Sequence, residues 1–158
     1  MTGPECAERV RRHLAESGIA YEITEHREAI TAQDLAAALH VPGARVAKTV
    51  LLVADGRLVM AVLAAPDRVG PARARRALGA ADVRLAAESE FAAVFSDCEL
   101  GAAPPFGALY GLPTYLDRGL LDAESIVFPA GPHRRAMRLS LAAYREAARP
   151  EPADLAGL

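Results

Sequence analysis

A pair of apolar segments in the first half of the chain constrains the fold more than any other feature. The segments are residues 46–54 and 57–64, and the dipeptide Asp55-Gly56 separates them. Both are rich in valine and leucine, which fit a buried strand, and Asp-Gly is typical of the tight turn that joins two antiparallel strands. The pattern therefore predicts a β-hairpin in the core of a sheet.

Apolar periodicity and turn residues predict a mixture of helices and strands elsewhere. We expect helices at residues 4–17, 31–40, 70–79, 87–95 and 140–148, and strands at 19–25, 83–85, 114–116, 125–128 and 137–139. These elements do not alternate strictly, and no glycine-rich phosphate-binding motif follows a strand. The sequence therefore predicts an α+β fold with a mixed, mostly antiparallel sheet flanked by helices.

Length and charge limit the classes of protein that fit. With 158 residues and a mass of 16.7 kDa, the chain suits one compact domain, which we assign to residues 1–149. Pro150 and Pro152 predict a flexible tail at 150–158. The net charge of −2 disfavours a protein that grips a length of DNA or RNA, because such binding needs many basic side chains. The charge is compatible with binding to a short end of a nucleic acid or to a small molecule.

Cysteine content and hydropathy indicate the cellular compartment of the protein. Cys6 and Cys98 are the two cysteines of the chain, and neither their spacing nor that of the histidines suits zinc, so we expect no metal site. Without a paired motif, these cysteines indicate a reducing compartment. The first residues lack the features of a signal peptide, and no apolar stretch is long enough to span a membrane. We therefore expect a cytoplasmic protein without a membrane segment.

Glycine and proline residues shape a loop between residues 99 and 117. Gly101 permits a positive φ angle, and Pro104 and Pro105 stiffen the backbone that follows. The amides of Gly101 and Ala102 are therefore candidates for holding an oxyanion or a phosphate. A rigid connector between two elements is the alternative interpretation of the same pattern.

Lys48 is the sole lysine among eighteen basic residues. It lies in the first strand of the predicted hairpin, and alternation places it on the same face as Val46 and Val50. A partly buried ammonium needs an anionic or polar partner, so Lys48 is a candidate for binding an anion. A coding preference for arginine, with Lys48 on the solvated face of a strand, is the alternative explanation.

Histidine and cysteine side chains offer further candidates. His26 follows a predicted strand and His133 lies in a Gly/Pro loop, and both positions suit a functional site. A loop histidine that is bonded only to the backbone would give the same pattern. Cys98 precedes the central loop, so a Cys98–His133 nucleophilic pair is an alternative, although no specific motif surrounds this cysteine.

Four segments, taken in order, resemble the YbaK/prolyl-tRNA synthetase-associated domain family. They are Val-Ala-Lys-Thr-Val at 46–50, Gly-Ala-Ala-Pro-Pro-Phe-Gly at 101–107, Gly-Leu-Pro-Thr-Tyr-Leu-Asp at 111–117 and Phe-Pro-Ala-Gly-Pro-His at 128–133. The similarity runs from about residue 21 to residue 144. It implies a mixed sheet flanked by helices, no cofactor, and an aminoacyl-tRNA deacylase that acts in trans. The implied partners are the acceptor end of aminoacyl-tRNA and a synthetase.

The resemblance also assigns site residues. The family's lysine corresponds to Lys48, its GxxxP loop to residues 101–105, and its histidine after an Ala-Gly pair to His133. We expect the amides of Gly101 and Ala102 to receive the ester carbonyl. Lys48 would then hold a phosphate of the terminal adenosine or the ester region, while His133 would orient a water, with the terminal ribose hydroxyl assisting its attack.

A further set of residues is expected to line the amino-acid pocket: Tyr21, His26, Ile30, Pro105 and Phe106. Pro132 departs from the family pattern, which often has serine before the histidine, and this departure concerns the specificity for the amino acid more than the reaction. Two alternatives stay open: a module that binds aminoacyl-tRNA ends or a related adenosine-containing ligand without catalysis, and a cysteine-dependent hydrolase.

Overall fold

The computed structural model describes residues 4–157, with side chains from Cys6 onward, and this range contains five α-helices, eight strands and three short 3-10 helices. The helices are α1 (Pro4–Glu16), α2 (Ala32–Leu39), α3 (Pro71–Leu78), α4 (Glu88–Phe91) and α5 (Leu141–Ala148). The strands are β1 (Glu22–Glu25), β2 (Ala47–Ala54), β3 (Arg57–Ala64), β4 (Val83–Leu85), β5 (Thr114–Asp117), β6 (Ser125–Pro129), β7 (Arg135–Ser140) and β8 (Glu151–Ala153). The predicted α+β class is confirmed, while α4 and β1 are shorter than expected.

The predicted hairpin is the centre of a five-stranded sheet with the order β4-β2-β3-β5-β8. β2 pairs with β3 along its whole length, and Asp55 and Gly56 between them have φ angles of 48° and 82°. These positive values suit the short turn, in which glycine carries no steric penalty. β4 is antiparallel to β2, whereas β3 with β5 and β5 with β8 are parallel pairs, so the sheet is mixed.

A second sheet has three antiparallel strands in the order β1-β7-β6. An isolated bridge between Val46 and Val127 joins it to the five-stranded sheet immediately before β2 begins. The two sheets therefore meet at the start of β2, where Lys48 lies.

Hydrogen bonds at the helix ends agree with the start and stop residues expected from the sequence. Thr31 caps α2, because its side chain accepts a hydrogen bond of 3.0 Å from the amide of Asp34. Ser140 caps α5 in the same way through the amide of Ala143. Each cap satisfies an amide that has no partner inside the helix.

The central loop is anchored in the main hydrophobic core. Phe106 is 1% exposed and packs edge-on against Phe128 and Tyr144, with ring centroids 5.6 and 5.5 Å apart. The Tyr144 hydroxyl donates a hydrogen bond of 2.7 Å to the carbonyl of Pro105. Pro105 and Phe106 were predicted to line a pocket, and this prediction is wrong, because burial in the core stabilises a large ring more than exposure in a loop.

The end of the chain also differs from the expected flexible tail. β8 forms there and pairs with β5, and Leu155 just beyond it is fully buried. One carboxylate oxygen of Asp117 accepts hydrogen bonds from the amides of Leu155 and Ala156, at 2.9 and 3.0 Å. Pro152 does not prevent pairing, because β8 is an edge strand and one side of it needs no donor.

Cys6 and Cys98 form a disulfide that joins α1 to the start of the central loop. The two Cα atoms are 5.1 Å apart although 92 positions separate the residues in the sequence. The disulfide removes the support that the two cysteines gave to a reducing compartment. Within residues 4–157, no helix is long and apolar enough to cross a membrane.

Candidate functional site

A cavity of about 190 Å³ opens where the two sheets meet. Its walls come from the segment between β1 and α2, from α2, β2 and the central loop, and from the β6–β7 connection. The lining residues are His26, Ala29, Ile30, Thr31, Ala32, Leu35, Lys48, Thr49, Gly101, Ala103, Pro129, Pro132 and His133. The fold thus brings together five of the predicted site residues: His26, Ile30, Lys48, Gly101 and His133.

Lys48 contributes a cation that makes no salt bridge within the described residues. Its side chain is half-buried, and burial lowers the pKa of the ammonium below its ordinary value of 10.5. The Asp67 carboxylate opposes this shift, while the charge of Arg68 adds to it. Among residues 6–157, the Lys48 ammonium makes neither a salt bridge nor a hydrogen bond. Lys48 is therefore available to an anionic ligand.

The central loop contributes Gly101 and Ala103 to the cavity wall. Gly101 has a φ angle of 83°, a conformation that favours glycine, and both Gly101 and Ala103 line the cavity. In the range that the structure describes, neither of their amides donates to a protein acceptor. The Ala102 amide donates instead to the carbonyl of Glu99 at 3.0 Å, and Ala102 is fully buried. The prediction that Ala102 offers its amide to a ligand is therefore wrong.

His133 holds two walls of the cavity together. Its Nδ1 lies 3.2 Å from the carbonyl oxygen of Ala29, and its Nε2 lies 2.7 Å from that of Leu100. Its backbone amide donates to the Glu99 side chain at 3.0 Å. Both ring nitrogens thus face acceptors, and a neutral imidazole has one N–H to share between them. In this arrangement neither nitrogen is free to orient a water, so the geometry favours a positioning role for His133.

Two polar atoms of the site lack any hydrogen-bond partner in the described part of the chain: Nε2 of His26 and Oγ1 of Thr49. Both atoms are buried, and both side chains line the cavity. The other ring nitrogen of His26 lies within hydrogen-bond distance of the Arg27 carbonyl. An unsatisfied buried polar atom costs about 1–3 kcal/mol, so such atoms are expected where a ligand completes them.

Thr49 was not predicted as a site residue. The available signal was a polar side chain next to Lys48 in an otherwise apolar strand. Tyr21, which was predicted, lies outside the cavity, and its hydroxyl accepts a hydrogen bond of 3.3 Å from Nε of Arg11. The disulfide also rules out the Cys98–His133 nucleophilic pair, because Cys98 has no free thiol.

A groove of about 490 Å³ adjoins the cavity on the other side of Lys48. Lys48, Val50 and Leu52 alternate along β2 and therefore present one face of the strand to this groove. Arg68 and Arg84 also line it, and Leu85 is 67% exposed there. Lys48 is thus shared by an enclosed cavity and an open, largely apolar groove with arginines beside it.

Fold and site together define a class: a small α+β domain with a cavity that combines an unpaired ammonium, free backbone amides and unsatisfied polar side chains. Residues 26–147 match the family model described as the aminoacyl-tRNA editing domain. This chain belongs to the aminoacyl-tRNA editing domain family.

Sequence relatives include proline–tRNA ligases. That of Acidithiobacillus ferrooxidans is 33% identical over 126 residues, which are 79% of this chain and 22% of the ligase. That of Solidesulfovibrio magneticus is 39% identical over 101 residues, or 63% of this chain and 17% of the ligase. The chain therefore spans about a fifth of the length of the curated relatives that it matches.

Two solved structures show the same fold at low sequence identity. A protein described as a proposed trans-editing enzyme for prolyl tRNA synthetase superimposes with a TM-score of 0.83 at 23% identity, covering 97% of this chain and 98% of that one. The hypothetical protein APE2540 gives a TM-score of 0.85 at 20% identity, covering 94% of this chain and 99% of that one.

Proposed function

We propose that this protein is an aminoacyl-tRNA deacylase that hydrolyses the ester of mischarged tRNA in trans, as part of translation quality control. The observation that carries the proposal is the cavity. Lys48, Gly101 and Ala103 all line this cavity, and within the described residues the Lys48 ammonium and the amides of the other two residues have no partner. The chain also belongs to an editing-domain family.

The reaction requires little chemical machinery. An aminoacyl ester is already activated, so a water molecule must be placed near its carbonyl carbon and the developing oxyanion must be stabilised. We assign oxyanion stabilisation to the amides of Gly101 and Ala103, because both residues line the cavity and their amides have no acceptor within residues 4–157. His133 supports them indirectly, since its ring holds the carbonyl of Leu100 immediately before Gly101.

Lys48 is assigned to a negatively charged part of the substrate. The amino acid enters the cavity, and the terminal nucleotide of the acceptor end follows into the adjoining groove, so the phosphate and ester region passes Lys48. The apolar floor of the groove suits a nucleobase, and Arg68 beside it suits a phosphate. The net charge of −2 is consistent with a contact limited to the acceptor end.

The similarity to proline–tRNA ligases suggests that the substrate is a mischarged proline tRNA and that the partner is prolyl-tRNA synthetase. The curated relatives are proline–tRNA ligases, and one structural neighbour is described as acting in trans for prolyl tRNA synthetase. Residues 26–147 match the editing-domain model, and the chain aligns with 22% and 17% of the length of the two ligases, so it would supply this step as a separate molecule.

The test is deacylation of proline tRNA charged with alanine, serine, threonine or cysteine by wild type and Lys48→Met. Methionine keeps most of the length of the side chain and removes its charge. We expect wild type to release at least one amino acid and the variant to be slower by about 100-fold or more, the scale of a lost charge-stabilising contact. Arg57→Ala, which removes an exposed arginine at the far end of the hairpin, is the matched control and should keep the wild-type rate.

Two outcomes would contradict the proposal. Equal rates for Lys48→Met and wild type would remove Lys48 from the mechanism. Tight binding of charged tRNA without ester loss by wild type would instead identify a binding module, the alternative function.

A further inference from the structure

A basic segment follows the central hairpin, although the chain as a whole is slightly acidic. Residues 68–84 contain five arginines and one acidic residue, which gives the segment a net charge of +4 in a chain whose net charge is −2. The arginines are Arg68, Arg73, Arg75, Arg76 and Arg84, and the acidic residue is Asp82. Positive charge that could hold a polyanion is therefore concentrated in and around helix α3.

Helix α3 lies on the same face of the five-stranded sheet as Lys48. Ala74 and Leu78 of the helix pack in one apolar cluster with Leu52 of β2. Lys48 and Leu52 are an even number of residues apart on β2, so their side chains share this face. Pro71, the first residue of α3, also lines the groove that Lys48 shares with the cavity. An RNA strand whose last nucleotide lies in this groove is therefore next to α3.

Three arginines of the basic segment are available to a ligand. Arg68, Arg75 and Arg76 are exposed, and none of their side chains forms a salt bridge or a hydrogen bond with the described residues. Arg84 differs, because it forms a salt bridge of 2.7 Å with Glu90. An unpaired guanidinium keeps its charge at any physiological pH and offers several N–H donors, which suits the oxygens of a phosphate.

The three available arginines extend from the groove along α3. Arg68 lines the groove itself. Arg75 is four positions after Pro71, so the two residues lie on one side of the helix, and that side borders the groove. Arg76 follows on the exposed surface of the last turn. The cations therefore continue beyond the space that one nucleotide would fill.

The C-terminal segment limits this surface on the other side of α3. There Nη1 of Arg73 donates to the carbonyl of Ala156 at 3.3 Å. Arg73 and Arg76 line a depression of about 340 Å³ together with Asp154, whose carboxylate forms a salt bridge of 3.5 Å with Arg118. A carboxylate repels a phosphate, so the side of α3 that borders the groove is the better path for RNA.

We propose that Arg75 and Arg76 bind the phosphate backbone of the acceptor stem, the base-paired part of tRNA next to its unpaired 3′ end. The inference rests on the proposed function for the position of the terminal nucleotide, and it adds a second contact with the same RNA. Phosphate contacts of this kind carry no sequence information and fix the position of the RNA on the protein. The arginines would thus hold the stem while the ester lies in the cavity.

A structural role offers another explanation for the two arginines. Both lie in the last turn of α3, where a positive charge stabilises the helix by its interaction with the helix dipole. This role predicts an effect of substitution on stability and none on the binding of RNA. The experiment therefore measures both quantities.

The experiment measures the binding of two uncharged RNAs by fluorescence anisotropy. One is a minihelix with the acceptor stem and 3′ end of a proline tRNA, and the other has the same unpaired 3′ end without the stem. Arg75→Gln with Arg76→Gln removes two charges and keeps residues that favour a helix. We expect this double variant to bind the minihelix about tenfold more weakly and to reduce the salt dependence, the slope of log K against log salt concentration, by about two. Its affinity for the RNA without a stem should equal that of wild type.

Arg12→Gln with Arg145→Gln is the matched control. It removes the same charge from exposed positions on α1 and α5, and it should keep the wild-type affinity for the minihelix. Thermal unfolding of both double variants tests the helix-dipole explanation. Deacylation gives a further readout, because loss of a stem contact should raise KM about tenfold and leave kcat unchanged.

The outcomes separate this inference from the proposed function, because neither RNA carries an amino acid. Wild-type affinity of the α3 variant for the minihelix would overturn the inference. An equal loss in the control would also overturn it, since net charge would then explain the effect, and so would an equal loss with the RNA that lacks a stem. If wild type hydrolyses no mischarged tRNA and the α3 variant alone loses affinity for the minihelix, the deacylase proposal fails and the stem contact stands.

Discussion

Two regions lie at opposite ends of the short segment 97–101, and they differ in whether their polar groups have hydrogen-bond partners. At one end lies the disulfide cluster, which we define as Arg9, Asp97, Tyr110 and the Cys6–Cys98 bond. The Tyr110 hydroxyl donates to one Asp97 carboxylate oxygen at 3.0 Å, and Nε of Arg9 donates to the other at 3.0 Å. Burial, followed by the Asp97 charge, raises the pKa of Tyr110. Each oxygen of the buried Asp97 carboxylate therefore has a donor within the cluster.

At the other end of the segment lies the cavity. There His26, Lys48 and Thr49 each keep a polar group without a partner in the described residues. The difference supports the proposal that the cluster is structural and that the cavity binds a ligand, because unsatisfied buried groups lower stability and are retained where function needs them. Substitutions should therefore act oppositely: in the cluster they should lower stability and spare activity, and in the cavity they should lower activity and spare stability.

The largest effect on stability is expected from opening the disulfide. Cys6→Ala with Cys98→Ala should lower the free energy of unfolding by about 4 kcal/mol, because the bond closes a loop of 92 residues in the unfolded chain. Urea unfolding measures this change. Deacylation per folded molecule, measured at low temperature, should stay near wild type. A complete loss of activity in a folded variant would instead revive the cysteine-dependent hydrolase.

A smaller loss is expected from Tyr110→Phe. The variant removes the hydroxyl that donates to the buried Asp97, and leaving one oxygen of that carboxylate without this donor costs about 1–3 kcal/mol. Thermal or urea unfolding measures it. Tyr21→Phe is the matched control, because that hydroxyl makes one exposed contact with Arg11. Equal stabilities for the two variants would contradict the cluster's structural role.

Thr49→Val should affect stability and activity in the opposite way to the variants of the disulfide cluster. Valine has nearly the same shape and removes a buried hydroxyl that has no partner, so stability should stay unchanged or rise by about 1 kcal/mol. The kcat/KM for mischarged tRNA should fall about tenfold, because the water or substrate loses a hydrogen bond. Thr24→Val on the exposed strand β1 should change neither quantity. A Thr49→Val variant that is less stable but fully active would show that Thr49 has a structural role and would contradict its assignment to the ligand site.

The smallest effect is the titration of Lys48. Burial makes its pKa lower in the folded protein than in the unfolded chain, so the unfolded chain binds the proton more tightly. Stability should therefore rise slightly as pH increases from the folded pKa toward 10.5. Because Lys48 is the sole lysine, ¹³C labelling of lysine gives one side-chain resonance whose pH titration reports this pKa. A midpoint at or above that of the urea-unfolded protein would show that the ammonium is already paired.

Much of the fold follows from local patterns. The Asp55-Gly56 hairpin, the Thr31 and Ser140 caps and the glycine stop of α3 at Gly79 all depend on neighbours in the sequence, and all lie where the pattern predicts. Pro152 misled the prediction of the C-terminal segment, because strand pairing with β5 depends on residues that are distant along the chain.

For the site, the sequence by itself singled out four residues as candidates. Lys48 was recognisable as a lone lysine in an apolar strand, Gly101 by its place before a proline pair, and His26 and His133 by their positions at loop and strand ends. Each of these signals is local, and the structure places all four at one cavity.

Only the tertiary structure determined which partners these groups have. Which acceptors face the imidazole of His133 and which cysteine Cys98 is bonded to depend on distant segments: Ala29 and Leu100 supply the acceptors, and Cys6 supplies the disulfide partner. Hydrogen bonds and covalent bonds act over a few ångströms in space, whereas sequence patterns report neighbours along the chain. The candidate side chains were therefore visible in the sequence, and their partners became visible with the fold.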